Sequence, residues 1–471
     1  MNPFIYIFLI SWGYWLYLAF SSNMTVQFDS IGYEQLGALV ASKGWVEYFR
    51  TGPHREPLYP LLISLSMKIS GLFSCPYYKI QTAAQLIIFG LTQFLAFLIM
   101  RRCKIRTWII GATLLYVGFS PALVNTALSL YSEILTYPFV LGIILVAASS
   151  FKALKNARSP RIMLYALLLG GLFTGITLVK GIYEYIFYFV FLFFLGVFWQ
   201  TFRSKKQKVN LNSLSLVIIF ALSFNLPVIG FKAINKKYNG IFALTDSRAD
   251  YSLYASAARR TEPLTGRQLL AAIAYTPGEG ACRAFFNEKE CYFWGIQNYD
   301  SYGLTMLGEV SQTVPKDQVS KTMRKLSLEK ILERPLQFTF LMGLETIKMF
   351  FWESTKIGFV DYPPWLTQLY DWIAFKNSIR LFISLLSLLS FFYLLVYILR
   401  HLRSVLNLTN ENGSVEEMPL FLLLIIFLHI GLYALFMTIP RFALPIAPLY
   451  LVTIAFAAEH ILPATKMLKR V

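Results

Sequence analysis

Ten apolar runs, each about long enough to cross a lipid bilayer, constrain the fold of this chain more than any other feature. A spanning helix needs about 20 predominantly apolar residues. The runs lie near 3–21, 82–100, 107–124, 130–149, 162–180, 182–202, 212–231, 378–399, 418–438 and 443–461. The composition agrees, because 56% of the 471 residues are hydrophobic and only 14% are charged. The sequence therefore predicts an all-α polytopic membrane protein.

Short basic segments between the apolar runs predict how the chain is threaded. The net charge is +18, and its positive residues are grouped in short blocks rather than spread over a soluble domain. The blocks are 101–106, 152–161, 203–208, 400–403 and 466–470. Such blocks favour the cytoplasmic side. We therefore interpret the charge as topology and as contact with anionic headgroups, and we expect no binding of nucleic acid.

The apolar runs and one long polar insert divide the chain into three parts. Residues 1–231 are predicted to hold about seven spans, with a first loop at 22–60. Residues 232–335 are a polar insert on the external side, and 336–471 hold an interfacial segment and about three further spans.

Two shorter apolar runs leave the threading open. The run at 57–73 is interrupted by Lys68 and is short for a span, so we favour an interfacial position. The first helix then runs outward and the first loop is external, whereas a crossing at 57–73 would place Asp29 in the cytoplasm. The run at 336–352 is either interfacial or half of a crossing pair with residues around 361–377.

The first loop concentrates polar side chains next to a span, which is typical of a site. Asp29, followed by Tyr33, is a candidate general base towards an acceptor hydroxyl or amine, although Asp29-Ser30 is also a good helix start signal. The segment His54-Arg55-Glu56 follows. The planar fork of Arg55 suits phosphate oxygens, and its alternative role is an interfacial anchor.

Three further charged residues stand alone at ends of apolar runs. Glu133 begins a span, where a carboxylate either serves function or complements the helix dipole. Lys180 and Arg441 lie on the external side, against the positive-inside trend. Lys180 either neutralises a phosphate or snorkels to headgroups, and Arg441 is a second lone external cation between two spans. Convergence of Arg55, Lys180 and Arg441 on one anion is the hypothesis that the three cations together support.

The chain carries no Cys/His cluster with the spacing of metal ligands, and we expect neither a metal nor a cofactor. Cys282 and Cys291 lie in one polar loop and either pair, if that loop is outside the cytoplasm, or remain free thiols. His429 lies in an apolar run and is interpreted as a packing residue.

The order of several motifs resembles the GT-C superfamily of integral-membrane glycosyltransferases. The resemblance is in particular to the branch that holds protein O-mannosyltransferases and lipid A aminoarabinose transferases. The motifs are the loop with Asp29 and Tyr33, then GPHREPLYPLL, SLYSEIL, GLFTGITLVKG and PRFALPIAPLY. The first loop departs from many relatives in lacking an Asp-Glu pair, and a Lys stands where many relatives have Arg-Pro.

The resemblance implies an inverting transferase with a catalytic module of about seven helices and a site on the external face of a bacterial inner membrane. Asp29 matches the acidic residue that deprotonates the acceptor, and Lys180 and Arg441 fall where the family holds the donor phosphate. The implied partners are a polyprenyl-phosphate sugar donor, an acceptor that is a lipid, a glycan or a protein, and the bilayer. The alternatives are a polytopic transporter or lipid flippase, and an O-antigen polymerase or ligase.

Overall fold

The structure is a computed structural model whose described part is 83% helical and has almost no strand. It describes residues 3–52, 55–155, 159–203, 207–245, 248–355, 359–406, 417–436 and 438–462. The helices of residues 1–231 are α1 Pro3–Ser21, α2 Asp29–Lys43, α3 Trp45–Arg50, α4 Leu58–Phe73, α5 Tyr77–Arg102, α6 Thr107–Phe119, α7 Pro121–Leu128, α8 Glu133–Lys155, α9 Ser159–Thr177, α10 Tyr183–Arg203 and α11 Gln207–Asn239, with strand β1 at Asn23–Met24.

The insert predicted at 232–335 is also helical, it extends in the structure through α18, and three spans follow it. Its helices are α12 Arg248–Thr261, α13 Gly266–Tyr275, α14 Glu279–Arg283, α15 Glu288–Tyr292, α16 Ile296–Thr313, α17 Lys316–Glu333 and α18 Pro335–Lys348. The last part holds strand β2 Val360–Asp361, then α19 Pro364–Asp371, α20 Ile373–Leu406, α21 Glu417–Leu435, a 3-10 helix at Pro440–Ile446 and α22 Ala447–Ile461.

Within the described residues, eight helices are long and apolar enough to cross a membrane, and the pair α6 and α7, bent by 46°, passes the same test when taken as one span. The chain is therefore a multi-pass integral membrane protein, as predicted. The run predicted at 162–180 is α9, whose apolar part ends at Thr177 and is shorter than the other spans. It still runs the length of α8, because Lys180, just after its end, contacts Glu133 at the start of α8.

The packing of α1 against α5 fixes the threading of the first loop. The two helices are antiparallel, since Phe4 lies 4.9 Å from Phe97 between ring centroids and Lys79 Nζ donates to the carbonyl of Ala19 at 3.0 Å. The chain between them therefore leaves and re-enters the bundle at one end. We call this the site end, and the opposite end, which holds Arg102, the basic end.

Because both ends of α4 lie at the site end, this helix does not pass through the bundle. One face, with Leu65, Ile69 and Leu72, is exposed, at the spacing of an apolar helical stripe. The other face is held by Tyr59, whose hydroxyl donates to Gln85 at 2.6 Å. Helix α4 therefore lies at one end of the bundle, and the interfacial placement of 57–73 stays a prediction.

The segment 336–352 ends beside the bend between α6 and α7. Glu353, which follows it, accepts a hydrogen bond from Ser120 Oγ at 2.7 Å, where α6 ends. Further on, Asp361 in β2 pairs with Asn23 in β1, just after α1. The first contact lies at the bend between α6 and α7 and the second lies at the site end. The interfacial placement of 336–352 therefore stays a prediction.

The insert is a compact helical layer at the site end. Its α12 packs on α16, α17 and α18, and a disulfide joins Cys282 to Cys291. Helix α11 continues to Asn239, past the predicted start of the insert at 232, because Lys232 still pairs with Glu184 of α10 at 2.5 Å.

This threading predicts that the first loop and the insert face one side of the membrane and the basic end faces the other. In a variant without Cys75 and Cys103, we introduce single cysteines by Arg50→Cys, Lys325→Cys or Lys104→Cys. A membrane-impermeant maleimide is added to sealed vesicles of one orientation. It should label either both Arg50→Cys and Lys325→Cys but not Lys104→Cys, or Lys104→Cys alone. Labelling of Arg50→Cys together with Lys104→Cys would contradict the threading.

Candidate active site

Asp29 begins α2 but does not cap it. Phe28 occupies the cap position without a side-chain hydrogen bond, at a φ of 46° that side chains rarely adopt. The helix start signal of Asp29-Ser30 is therefore correct to within one residue, but the capping role of Asp29 is wrong. Its carboxylate is free of the helix terminus and turns towards residues far away in the sequence.

Two arginines hold the Asp29 carboxylate from either side. Arg55 Nη2 donates to Asp29 Oδ1 at 2.5 Å, and Arg441 Nη2 donates to Asp29 Oδ2. Each guanidinium also lies over an aromatic ring: Arg55 over Tyr33 at 5.1 Å and Arg441 over Tyr131 at 4.6 Å from the ring centroid. Both arginines are thus fixed on two sides.

A second carboxylate continues the network inward. Glu133 Oε1 lies 3.1 Å from Lys180 Nζ and 3.4 Å from Arg441 Nε. The Glu133 side chain is only 1% exposed, so it needs these cations to remain ionised. Asp29, Arg55, Glu133, Lys180 and Arg441 together form what we call the charge cluster, with three positive and two negative groups.

Tyr33 and Glu56 border the charge cluster. Tyr33 shares a 2.9 Å hydrogen bond with Ser132 Oγ, beside Glu133. Glu56 Oε1 accepts from the amide of Gly181 at 2.8 Å, and this contact holds the turn that presents Lys180. The structure therefore brings together seven of the eight residues that the sequence selects, and His54 lies outside the described residues.

The electrostatics of the charge cluster favour full ionisation. Burial acts to raise the pKa of Asp29, but the charges of Arg441 and Arg55 outweigh it and lower that pKa to about 2. Burial likewise disfavours the Lys180 ammonium, and the Glu133 carboxylate reverses this effect and raises the pKa of Lys180. Asp29 is thus a weak base while both arginines remain on it.

The arrangement suits an anion with several oxygens. An incoming phosphate can bind the guanidinium groups of Arg55 and Arg441, either together with Asp29 or in place of Asp29. Lys180 adds a third positive charge. Within the described part of the chain, no three His, Cys, Asp or Glu side chains are grouped as a metal site requires.

Sequence reasoning missed two carboxylates near this region. Glu353 is fully buried and accepts from Tyr116 Oη at 2.6 Å and from the Ala122 amide at 2.9 Å, at the bend between α6 and α7. Its signal is a lone acid after an apolar run. Asp300, half-buried on α16, makes no hydrogen bond or ion pair with any described residue, and burial together with the charge of Asp29 raises its pKa. Nothing in the sequence separates Asp300 from an ordinary surface aspartate.

The lowered pKa of Asp29 predicts a pH-dependent contribution to stability. An unfolded Asp titrates near pH ~4, so the stabilisation is complete above that pH and is lost as pH falls towards 2. Thermal unfolding in detergent should show wild type more stable than Asp29→Asn by about 1–2 kcal/mol at pH 5. The difference should shrink steeply as pH falls towards 2 and vanish only below pH 2.

Glu47→Gln is the control for this comparison, because Glu47 forms an exposed pair with Arg50 at 3.4 Å. We expect no comparable difference for it. A difference between wild type and Asp29→Asn that does not change between pH 5 and pH 2 would contradict the proposed ion pairs.

No family model matches the chain, and neither a curated protein nor a solved structure matches it. Its functional assignment therefore depends on the geometry of the charge cluster and on the order of its motifs.

Proposed function

We propose that the charge cluster is the donor-phosphate and base site of an inverting GT-C type glycosyltransferase. The enzyme would move a sugar from a polyprenyl-phosphate donor to a lipid, glycan or protein acceptor. The observation that carries this proposal is the meeting of Asp29 with Arg55 and Arg441, while Arg441 also shares Glu133 with Lys180. These groups come from four separate parts of the chain and meet at one end of the spans.

Two features support an external site on a bacterial inner membrane. The block 101–106 and the described parts of 152–161, 203–208 and 400–403 lie at the end of the bundle away from the charge cluster, as expected for cytoplasmic loops, and 466–470 lies outside the described residues. The insert on the site side carries the Cys282–Cys291 disulfide, and disulfides persist in oxidising compartments such as the periplasm. A polyprenyl chain in the outer leaflet would present its phosphate at this depth.

The proposed reaction is a single displacement at the anomeric carbon. The acceptor oxygen attacks this carbon while its proton passes to Asp29, and the bond from the anomeric carbon to the phosphate oxygen breaks. The bonding electrons leave with polyprenyl phosphate, and the cations stabilise the charge that develops there. As the donor phosphate draws Arg55 and Arg441 away from Asp29, the carboxylate loses the charges that lower its pKa and becomes a better base.

Purified protein incubated in detergent with a panel of polyprenyl-phosphate sugars tests this function. We expect wild type to release polyprenyl phosphate with at least one donor and acceptor. Asp29→Asn should lower kcat by about 10²–10⁴-fold, and Arg441→Gln should lower kcat/KM by about 10²-fold or more. Glu47→Gln is the matched acidic control and should keep full turnover.

Full turnover by Asp29→Asn would refute the base assignment, and no release by wild type with any donor and acceptor would refute the enzyme. Products that grow by repeated sugar units would favour the polymerase alternative over a single transfer.

One observation favours a transporter or flippase as the second candidate. The span made by α6 and α7 is bent by 46°, and the buried Glu353 is bonded at the bend. Broken spans with a buried acid are typical of transporters. Movement of a labelled lipid across proteoliposomes without release of polyprenyl phosphate would support this candidate.

A further inference from the structure

We propose that the insert is a positioning device for Arg441, acting through Arg260 and Glu345. The inference rests on the proposed function, since it assigns the insert a role in shaping the same phosphate site. Arg260 and Glu345 fix the turn between α21 and the 3-10 helix. Arg441 is the second residue of that 3-10 helix.

The C-terminus of α21 is satisfied by side chains of the insert. The last carbonyl groups of a helix have no partner within the helix. Arg260 Nη1 donates to the carbonyl of Ala434 at 2.7 Å, and Arg260 Nη2 donates to that of Phe436 at 2.5 Å. Between them, Ser256 Oγ donates to the carbonyl of Leu435 at 2.9 Å. Consecutive orphan carbonyls are thus bonded by α12, and the guanidinium also complements the negative end of the helix.

The next described residue of the turn is held by α18. Thr438 donates its backbone amide to Glu345 Oε2 at 2.9 Å, and its hydroxyl donates to the same oxygen. Thr438 is fully buried, so loss of this acceptor would leave a buried donor unpaired. Arg441 follows three residues later, and its guanidinium contacts Asp29 and Glu133.

Arg260 is itself held in place. Its side chain is fully buried, its carbonyl accepts from Gln337 Nε2 at 2.7 Å, and its guanidinium lies 5.3 Å from the ring centroid of Phe338. Gln337, Phe338 and Glu345 all belong to α18, so α12 and α18 form one clamp on the turn. A shift of about 1 Å in a group that contacts substrate can cost about 10²-fold in rate, and this clamp limits such a shift for Arg441.

The first measurement is hydrogen–deuterium exchange of the full-length protein in detergent, read in peptides that cover residues 434–446. Arg260→Gln and Glu345→Ala should speed exchange there several-fold or more. Glu345→Gln, whose amide oxygen still accepts from Thr438, and Arg260→Lys, which keeps the charge but bonds one carbonyl, should have smaller effects.

The matched control is Arg324→Gln. Arg324 pairs with Asp250 at 2.7 Å within the insert and does not contact the turn. It should leave exchange at 434–446 unchanged. Unchanged exchange in Arg260→Gln and Glu345→Ala, in folded protein, would overturn the inference.

The second measurement is binding of farnesyl phosphate, a short polyprenyl phosphate. Arg260→Gln and Arg441→Gln should each weaken binding by about tenfold or more. In the double variant the losses should not add, because Arg260 acts through Arg441. Fully additive losses, or wild-type affinity in Arg260→Gln, would overturn the positioning role.

The two measurements separate the two proposals. If wild type binds no farnesyl phosphate, the phosphate site fails, and the exchange data alone then decide whether the insert holds the turn. If wild type binds farnesyl phosphate but Arg260→Gln leaves the exchange rate of 434–446 unchanged, the phosphate site stands and the positioning inference fails.

Discussion

A carboxylate that is almost wholly buried, that of Glu133, determines which charged residues must lie around it. Glu133 is 1% exposed at the start of a span, and an unpaired charge there would be strongly destabilising. Lys180 and Arg441 compensate it, and Arg441 then needs a second anion because it carries charge into the same buried region. Asp29 supplies that anion and is shared with Arg55. Each buried charge thus requires an opposite charge beside it, and this chain of ion pairs runs from Glu133 in the bundle to Arg55 in the first loop.

The architecture gathers these charges at one end of the spans. Both ends of helix α4 lie at the site end. Its first amide, that of Leu58, donates to the carbonyl of Leu178 at 3.0 Å, beside the turn that presents Lys180. Helix α7 begins at the bend that Glu353 holds and ends shortly before Glu133. The insert adds a lid of helices over the last turn. Irregular backbone at membrane depth is tolerated where it is buried in protein, and here it surrounds the charge cluster.

Sequence reasoning identified the cluster residues because lone charges at the ends of apolar runs are costly and therefore conspicuous. Lys180 and Arg441 are of this kind, and so is Glu133. The partner of each could not be read from the sequence, because the pairs join helices that are distant along the chain. The capping role given to Asp29 failed for a local reason, the positive φ of Phe28. Glu353 and Asp300 were missed because their burial and neighbours depend on the packing of the insert and the bent span.

The pairing of Asp29 with Arg441 links positions 412 residues apart. During synthesis the first loop and the start of α8 enter the membrane long before the final turn exists, so their acids must be accommodated with incomplete compensation. The cluster closes only when the last two spans are inserted. A chain that ends before them therefore has most of its spans but leaves Asp29 and Glu133 without Arg441.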